Sequence, residues 1–180
     1  SGYRGHGLAK RREQGRHRST GAPSHRVPDG ACRQVTRIDF YVEARDRLDF
    51  ACRLAAKAVQ AKTRLIVYAP DEAILAKMDR MLWTQSAVGF IPHCMSHDPL
   101  AAETPVLLAR NVDHPPVDEV ILNLADACPP TFARFRRLLE IVSQDDADKA
   151  SARERFRFYR DRGYRIDTHN MSESTSRTPG

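Results

Sequence analysis

The run RERFRFYRDRGYRID (153–167) holds six Arg and four aromatic residues. Guanidinium groups interleaved with flat rings can bind an anion that also carries an apolar group. One such ligand is single-stranded nucleic acid, with phosphates on the arginines and bases stacked on the rings. Another is an acidic peptide, with carboxylates in the Arg forks and a side chain in an adjacent apolar pocket. On a helix turning about 100° per residue, Lys149, Arg153, Arg157 and Arg160 share an arc of roughly 80°. Ala152, Phe156 and Tyr159 form the neighbouring arc, and Glu154 and Asp161 lie beyond the basic one. The stripe is expected to lack acidic partners, so its like charges repel by roughly 0.2–0.5 kcal/mol per pair, and an anion would relieve them. The plain alternative is that the rings are core and the arginines are solvated.

Other chemistry is thin. Phosphate cradles need Gly where the backbone meets the anion, yet between Ala31 and Arg162 the only glycine is Gly89. There is neither a G-x-G-x-x-G nor a G-x-x-x-x-G-K-[ST], and the first strand-to-helix turn, VEARDRL, offers carboxylates where a phosphate would sit. No G-x-S-x-G elbow is present. His93 and His97 are four apart, but Pro92 and Pro99 flank them, which excludes a helical pair of zinc ligands. Asp145 and Asp146 open the last helix, where they complement its dipole. Cys32, Cys52, Cys94 and Cys128 show no C-x-x-C spacing and are expected to be free thiols. Neither a cofactor nor a metal is expected.

These side chains must be held by a body of 180 residues that is 41% apolar and 29% charged, enough for one domain with a hydrophobic core. The net charge of +6 is unevenly placed. Residues 1–35 carry eight Lys/Arg, two Asp/Glu and six of the nine Gly, which leaves 21 of each sign in the rest. A globally basic nucleic-acid binder does not divide this way. Residues 1–35 are read as a disordered basic extension, with a nucleic-acid arm as the functional alternative. The chain opens without Met or an apolar leader, so the native start and a secretory signal are both expected to be absent. No apolar run approaches the ~20 residues of a membrane span.

Periodicity predicts strands at 36–42, 64–69, 105–110, 119–125, 136–142 and 164–170, and a short extended piece at 89–93. Helices are predicted at 45–62, at 72–83 with Asp71 as N-cap, and at 145–162 ending at Gly163. A short helix is predicted at 129–135, starting at a proline. This order implies an α/β fold: one three-layer domain with a mixed, mostly parallel sheet flanked by helices, Rossmann-like without a phosphate-binding glycine loop. The domain is placed at 36–170 and a disordered tail at 171–180.

Three stretches, in order and spacing, resemble the chi subunit of bacterial DNA polymerase III. ARERFRFYRDRGY (152–164) is similar to that family's C-terminal signature, A-R-E-R-[YF]-[KR]-x-Y-R-x-x-G-[FY]. LWTQSAVGFIPH (82–93) is similar to its Leu-Trp followed by Phe-[VI]-Pro-His, and IDFYV (38–42) to its first strand. The resemblance spans about residues 36–170 and implies a non-catalytic accessory subunit of the replicative polymerase in the bacterial cytoplasm. It implies two partners: the psi subunit, which tethers chi to the clamp loader, and the acidic C-terminal tail of single-stranded-DNA-binding protein, which ends in Pro-Phe. DNA is then reached mainly through partners.

By position, Lys149, Arg153 and Arg157 correspond to the family's tail-binding bases, with Arg153 first choice for the terminal carboxylate. Phe156 and Val142 would line the pocket for the terminal Phe. Phe156 and Arg157 stand where Tyr and Lys are commoner, which removes a hydroxyl and adds a bidentate fork. Trp83, Phe90 and Pro92 match the region of psi contact, with core packing as the alternative. Direct single-stranded-DNA binding by the same helix stays open.

Overall fold

A computed structural model describes residues 36–84 and 90–172. The extension expected at 1–35, Gly89, and all of the expected tail except Met171 and Ser172 lie outside the described residues. Seven strands are present: β1 (Arg37–Ala44), β2 (Leu65–Tyr68), β3 (His93–Met95), β4 (Val106–Ala109), β5 (Val120–Asn123), β6 (Arg137–Ser143) and β7 (Ile166–Asn170). The helices are α1 (Arg47–Gln60), α2 (Glu72–Thr84) and α3 (Asp146–Asp161).

The strand order is β3-β4-β2-β5-β6-β1-β7. All six pairings are parallel, so the sheet expected to be mixed is parallel throughout the described residues. Its middle strands read as continuous apolar runs, LIVY, VLLA and VILN, because both their faces are covered. The chain steps one way along the sheet from β1 to β2 to β3, then the other way from β3 through to β7. Right-handed crossovers must therefore put α1 and α2 on one face and every later connection on the other. The two core clusters agree. Leu65, Val67, Val106, Leu108, Leu139 and Ile141 pack with α1 and α2. Ile38, Phe40, Ile66, Leu107, Ile121 and Leu138 pack with Ala152 and Tyr159 of α3.

Caps fix the helix ends. Asp46 accepts from the amides of Leu48 (2.8 Å) and Asp49 (3.0 Å), and Asp71 accepts from Ala73 (2.8 Å) as expected. Gly163 follows α3 at φ 77°, a left-handed backbone that Gly adopts freely. Among the described residues Cys52, Cys94 and Cys128 are free thiols, and burial with nearby Asp49 and Asp46 pushes Cys52 up to about 11.

Some expectations need correction. The helix expected at 129–135 is one 3-10 turn, Phe132–Arg134. Pro130 disfavours helical backbone at Pro129, and Thr131 stands at φ 59°, outside the right-handed helical region, so the turn starts only at Phe132. The extended piece at 89–93 becomes a strand only at His93, where β3 starts. A 3-10 turn at Pro99–Ala102, capped by Asp98, was not anticipated.

Candidate functional site

In open parallel sheets, ligands settle beyond the carboxyl ends of the strands where neighbouring strands send their chains to opposite faces. Here β1 and β6 are paired neighbours; β1 leads to α1 on one face and β6 to α3 on the other. At this divergence lies a cavity of about 240 Å³ lined by Phe40, Val42, Glu43, Val142, Lys149, Ala152, Arg153 and Phe156. It is smaller than the ~300–1,000 Å³ typical of small-molecule sites. It suits a single inserted side chain better than a whole cofactor. Its floor is apolar, and Phe156 is half-buried edge-on to Phe40 with ring centroids 5.4 Å apart.

The position of α3 sets this geometry. Asp145 caps its start by accepting from the Ala147 amide at 2.8 Å. Asp148 accepts from the Ser143 amide at 2.7 Å and faces Arg47 Nη1 at 3.3 Å, which ties the starts of α1 and α3 to the end of β6. Beneath the helix, Arg155 Nε donates to Glu140 Oε2 at 3.0 Å, and Tyr159 Oη donates to Oε1 at 2.8 Å. Asn123 Nδ2 donates to both carboxylate oxygens, at 3.1 and 3.2 Å. Arg155 and Glu140 are only 2% and 0% exposed, so this is a fully desolvated pair. Complete burial pushes the Glu140 carboxyl up, and Arg155, Tyr159 and Asn123 pull against that rise. With Arg155, Ala152 and Tyr159 fixed inward, Lys149 and Arg153 must stand at the cavity rim.

Four of the five residues assigned to tail binding, Lys149, Arg153, Phe156 and Val142, line this one cavity. Arg157 does not. It pairs with Glu154 at 3.2 Å and borders a different hollow with Asp126, Cys128 and Arg162. The stripe is also less bare than expected. Lys149 Nζ lies 2.9 Å from Glu43 Oε1, and Arg160 Nη2 lies 3.0 Å from Asp161. None of these acids lies at i+4, the spacing on which the expectation rested: Arg157 meets one at i−3, Arg160 one at i+1, and Lys149 one on β1, a contact that helical spacing cannot supply. Among the described residues of the stripe, Arg153 alone forms no ion pair, and it is exposed. Sequence reasoning passed over Glu43 and Arg155. Arg155 had a signal: on the same helical projection it falls about 40° from Tyr159, just outside the apolar arc and on the side away from the basic stripe.

The second predicted region forms a separate patch near the opposite sheet edge. Trp83 and Phe90 are 60% and 51% exposed, with rings 4.5 Å apart. His93 supports both from below, at 5.5 and 5.8 Å. Its own ring is held by the Ile91 carbonyl (2.7 Å) and Asp79 (3.1 Å). Pro92 is half-buried beside it. The described residues contain no cluster of His, Cys, Asp and Glu able to hold a metal, and none of their helices is long and apolar enough to cross a membrane.

Residues 35–167 match the family model described as DNA polymerase III chi subunit, HolC. A Pseudomonas aeruginosa protein named DNA polymerase III subunit chi is 35% identical over 143 residues, covering 76% of this chain and 98% of that protein. Proteins of the same name from Haemophilus influenzae and Escherichia coli are 28% and 25% identical, covering 68% and 65% of this chain and 86% and 80% of theirs. The matched span holds every described strand and helix except the last residues of β7, together with both surfaces. By its sequence, this chain belongs to the DNA polymerase III chi subunit family.

Proposed function

We propose that this chain is a non-catalytic accessory subunit of the bacterial replicative polymerase that links the clamp loader to protein-coated single strands. It grips the acidic C-terminal tail of single-stranded-DNA-binding protein in the α3 cavity, and it joins the clamp loader through a psi subunit seated on Trp83, Phe90 and Pro92. It works in the bacterial cytoplasm, at the replication fork, without a cofactor.

The observation that carries this reading is the cavity itself. An apolar hollow sized for one side chain has Arg153 at its rim, exposed and without an ion-pair partner among the described residues. A terminal aromatic residue fits the hollow, and its free carboxylate fits the guanidinium. Lys149 takes a further carboxylate of the tail, and Arg157, beyond the cavity, meets residues upstream. Several tails on one coating tetramer raise the effective concentration, so each grip need not be tight.

Direct DNA binding along the same helix is supported less. Three of the four stripe bases face carboxylates, which leaves no continuous positive track for a phosphate backbone.

The test is calorimetry of the full chain with an acidic peptide ending in Pro-Phe, beside the same peptide amidated. The free-acid peptide is expected to bind and the amide to bind at least tenfold more weakly, the scale of a lost charged hydrogen bond. Arg153→Ala is expected to weaken binding of the free acid by a similar factor. Equal binding of acid and amide, or an unaltered Arg153→Ala, overturns the assignment.

A further inference from the structure

Val42 and Glu43 are consecutive in β1, yet both line the same cavity. A regular strand cannot do this, because successive side chains point to opposite faces. The explanation lies in the pairing with β6. Tyr41 pairs with Ile141 and Ala44 with Ser143, so β1 advances three residues where β6 advances two. This is a bulge, and the extra residue re-aims a side chain. Glu43 stands there at φ 62°, a left-handed backbone unfavourable to a residue with a Cβ. The outcome of this local strain is a carboxylate 2.9 Å from the Lys149 ammonium, at the rim of an otherwise apolar hollow.

We propose that Glu43 is an internal competitor of the acidic ligand: in the free protein its carboxylate occupies Lys149, and an incoming acidic peptide must displace it. This rests on the peptide-binding reading above and adds a determinant of selectivity to it. The displaced group has somewhere to go. Glu43 is the shared wall between the α3 cavity and a second hollow of about 320 Å³, whose lining includes Arg45 and Asp46, with Arg53 held by Asp49 at 2.6 Å. Arg45 is exposed there and offers the released carboxylate a new cation.

The consequence is discrimination. A ligand with one carboxylate, directed at Lys149, only exchanges one acid for another and gains little. A ligand that brings a carboxylate to Arg153, an aromatic group to the hollow and further acids upstream gains contacts that Glu43 does not already make. Glu43 thus selects for acidic peptides with an apolar end over isolated small anions.

The experiment is calorimetry of the full chain against the acidic Pro-Phe peptide, for wild type, Glu43→Gln, Lys149→Met and the double variant. Glu43→Gly serves as a second charge-removing variant, since Gly adopts this backbone without strain. Glu43→Gln is expected to tighten binding about threefold, the scale of a half-exposed ion pair, with Glu43→Gly changing in the same direction. The gain is expected to vanish in the Lys149→Met background. Unchanged or weakened binding in both Glu43 variants overturns the proposal. So does a gain that persists without Lys149, because that is general repulsion rather than competition. A wild type that does not bind the peptide at all overturns the peptide-binding reading itself, and the competitor with it.

Discussion

Asp39 is fully buried in β1, where Arg137 Nε lies 2.6 Å from Oδ2 and His169 Nε2 lies 2.8 Å from Oδ1. Burial alone would raise its carboxyl. Hydrogen bonds from Arg137 and His169, with the charges of Arg137 and Arg37, outweigh burial and hold it below the ordinary aspartate range. The unfolded chain therefore takes up this proton at a higher pH than the folded one. The stabilisation is complete above about 3.9, the ordinary value, and is lost as pH falls from there through the folded value. Urea denaturation between pH 3 and 6 is expected to show stability falling at the acid end, and Asp39→Asn is expected to flatten that fall. Arg155 carries a larger stake. Arg155→Met leaves Glu140 buried without its cation, and a loss of about 3–5 kcal/mol in urea-denaturation stability is expected. Residue type alone did not single out this pair. Glu140 is one acid in the apolar run RLLEIV, and Arg155 is one of six arginines in its stretch. Only its place beside Tyr159, away from the basic stripe, marked Arg155 as different. Glu43 was less legible still, because its placement depends on a bulge between strands about 100 residues apart in the chain.

Elements with a period were legible, and elements too short to have one were not. Four-residue strands such as LIVY and VILN stand out as apolar runs between turn residues. β3 has three residues and the two 3-10 turns have three and four, so none of them completes a recognisable repeat. The boundaries of α3 were readable because caps are chemical signals. Asp145 supplies a side-chain acceptor for a helix-start amide, and Gly163 supplies the left-handed residue that ends the helix. Each end makes a prediction. Asp145→Ala is expected to cost about 1 kcal/mol of stability. Gly163→Ala is expected to cost about 1 kcal/mol from backbone conformation alone, since nothing lies within 4 Å of an added Cβ. Thermal or urea melts measure both. Asp145→Ala also frays the turn that carries Lys149, so it is expected to weaken peptide binding, while Gly163→Ala leaves that binding unchanged.

The aromatic patch adjoins β3, at one edge of the sheet, and the α3 cavity sits over β1 and β6 near the other. Five strand spacings of about 4.8 Å separate β3 from β1, roughly 24 Å. At that distance two substitutions without shared contacts are expected to act independently. Trp83→Ala is expected to abolish psi binding in a pull-down, change stability by no more than about 0.5 kcal/mol because the ring is exposed, and leave the peptide dissociation constant unaltered. A Trp83 variant that loses both partners would show the two surfaces to be coupled. The family could be read from three short motifs, but the separation of its two surfaces could not, because strand order is a property of crossovers rather than of local pattern. That order has a mechanical corollary. If the two proposed partners sit one at each edge, a pull between them runs across the strands, not along them. The hydrogen-bonded ladders then lie in series, each carrying the whole load, so the weakest gives way first. On that proposal the domain is a joint suited to slack: it would keep the two partners within reach of each other and is poorly placed to transmit traction between them.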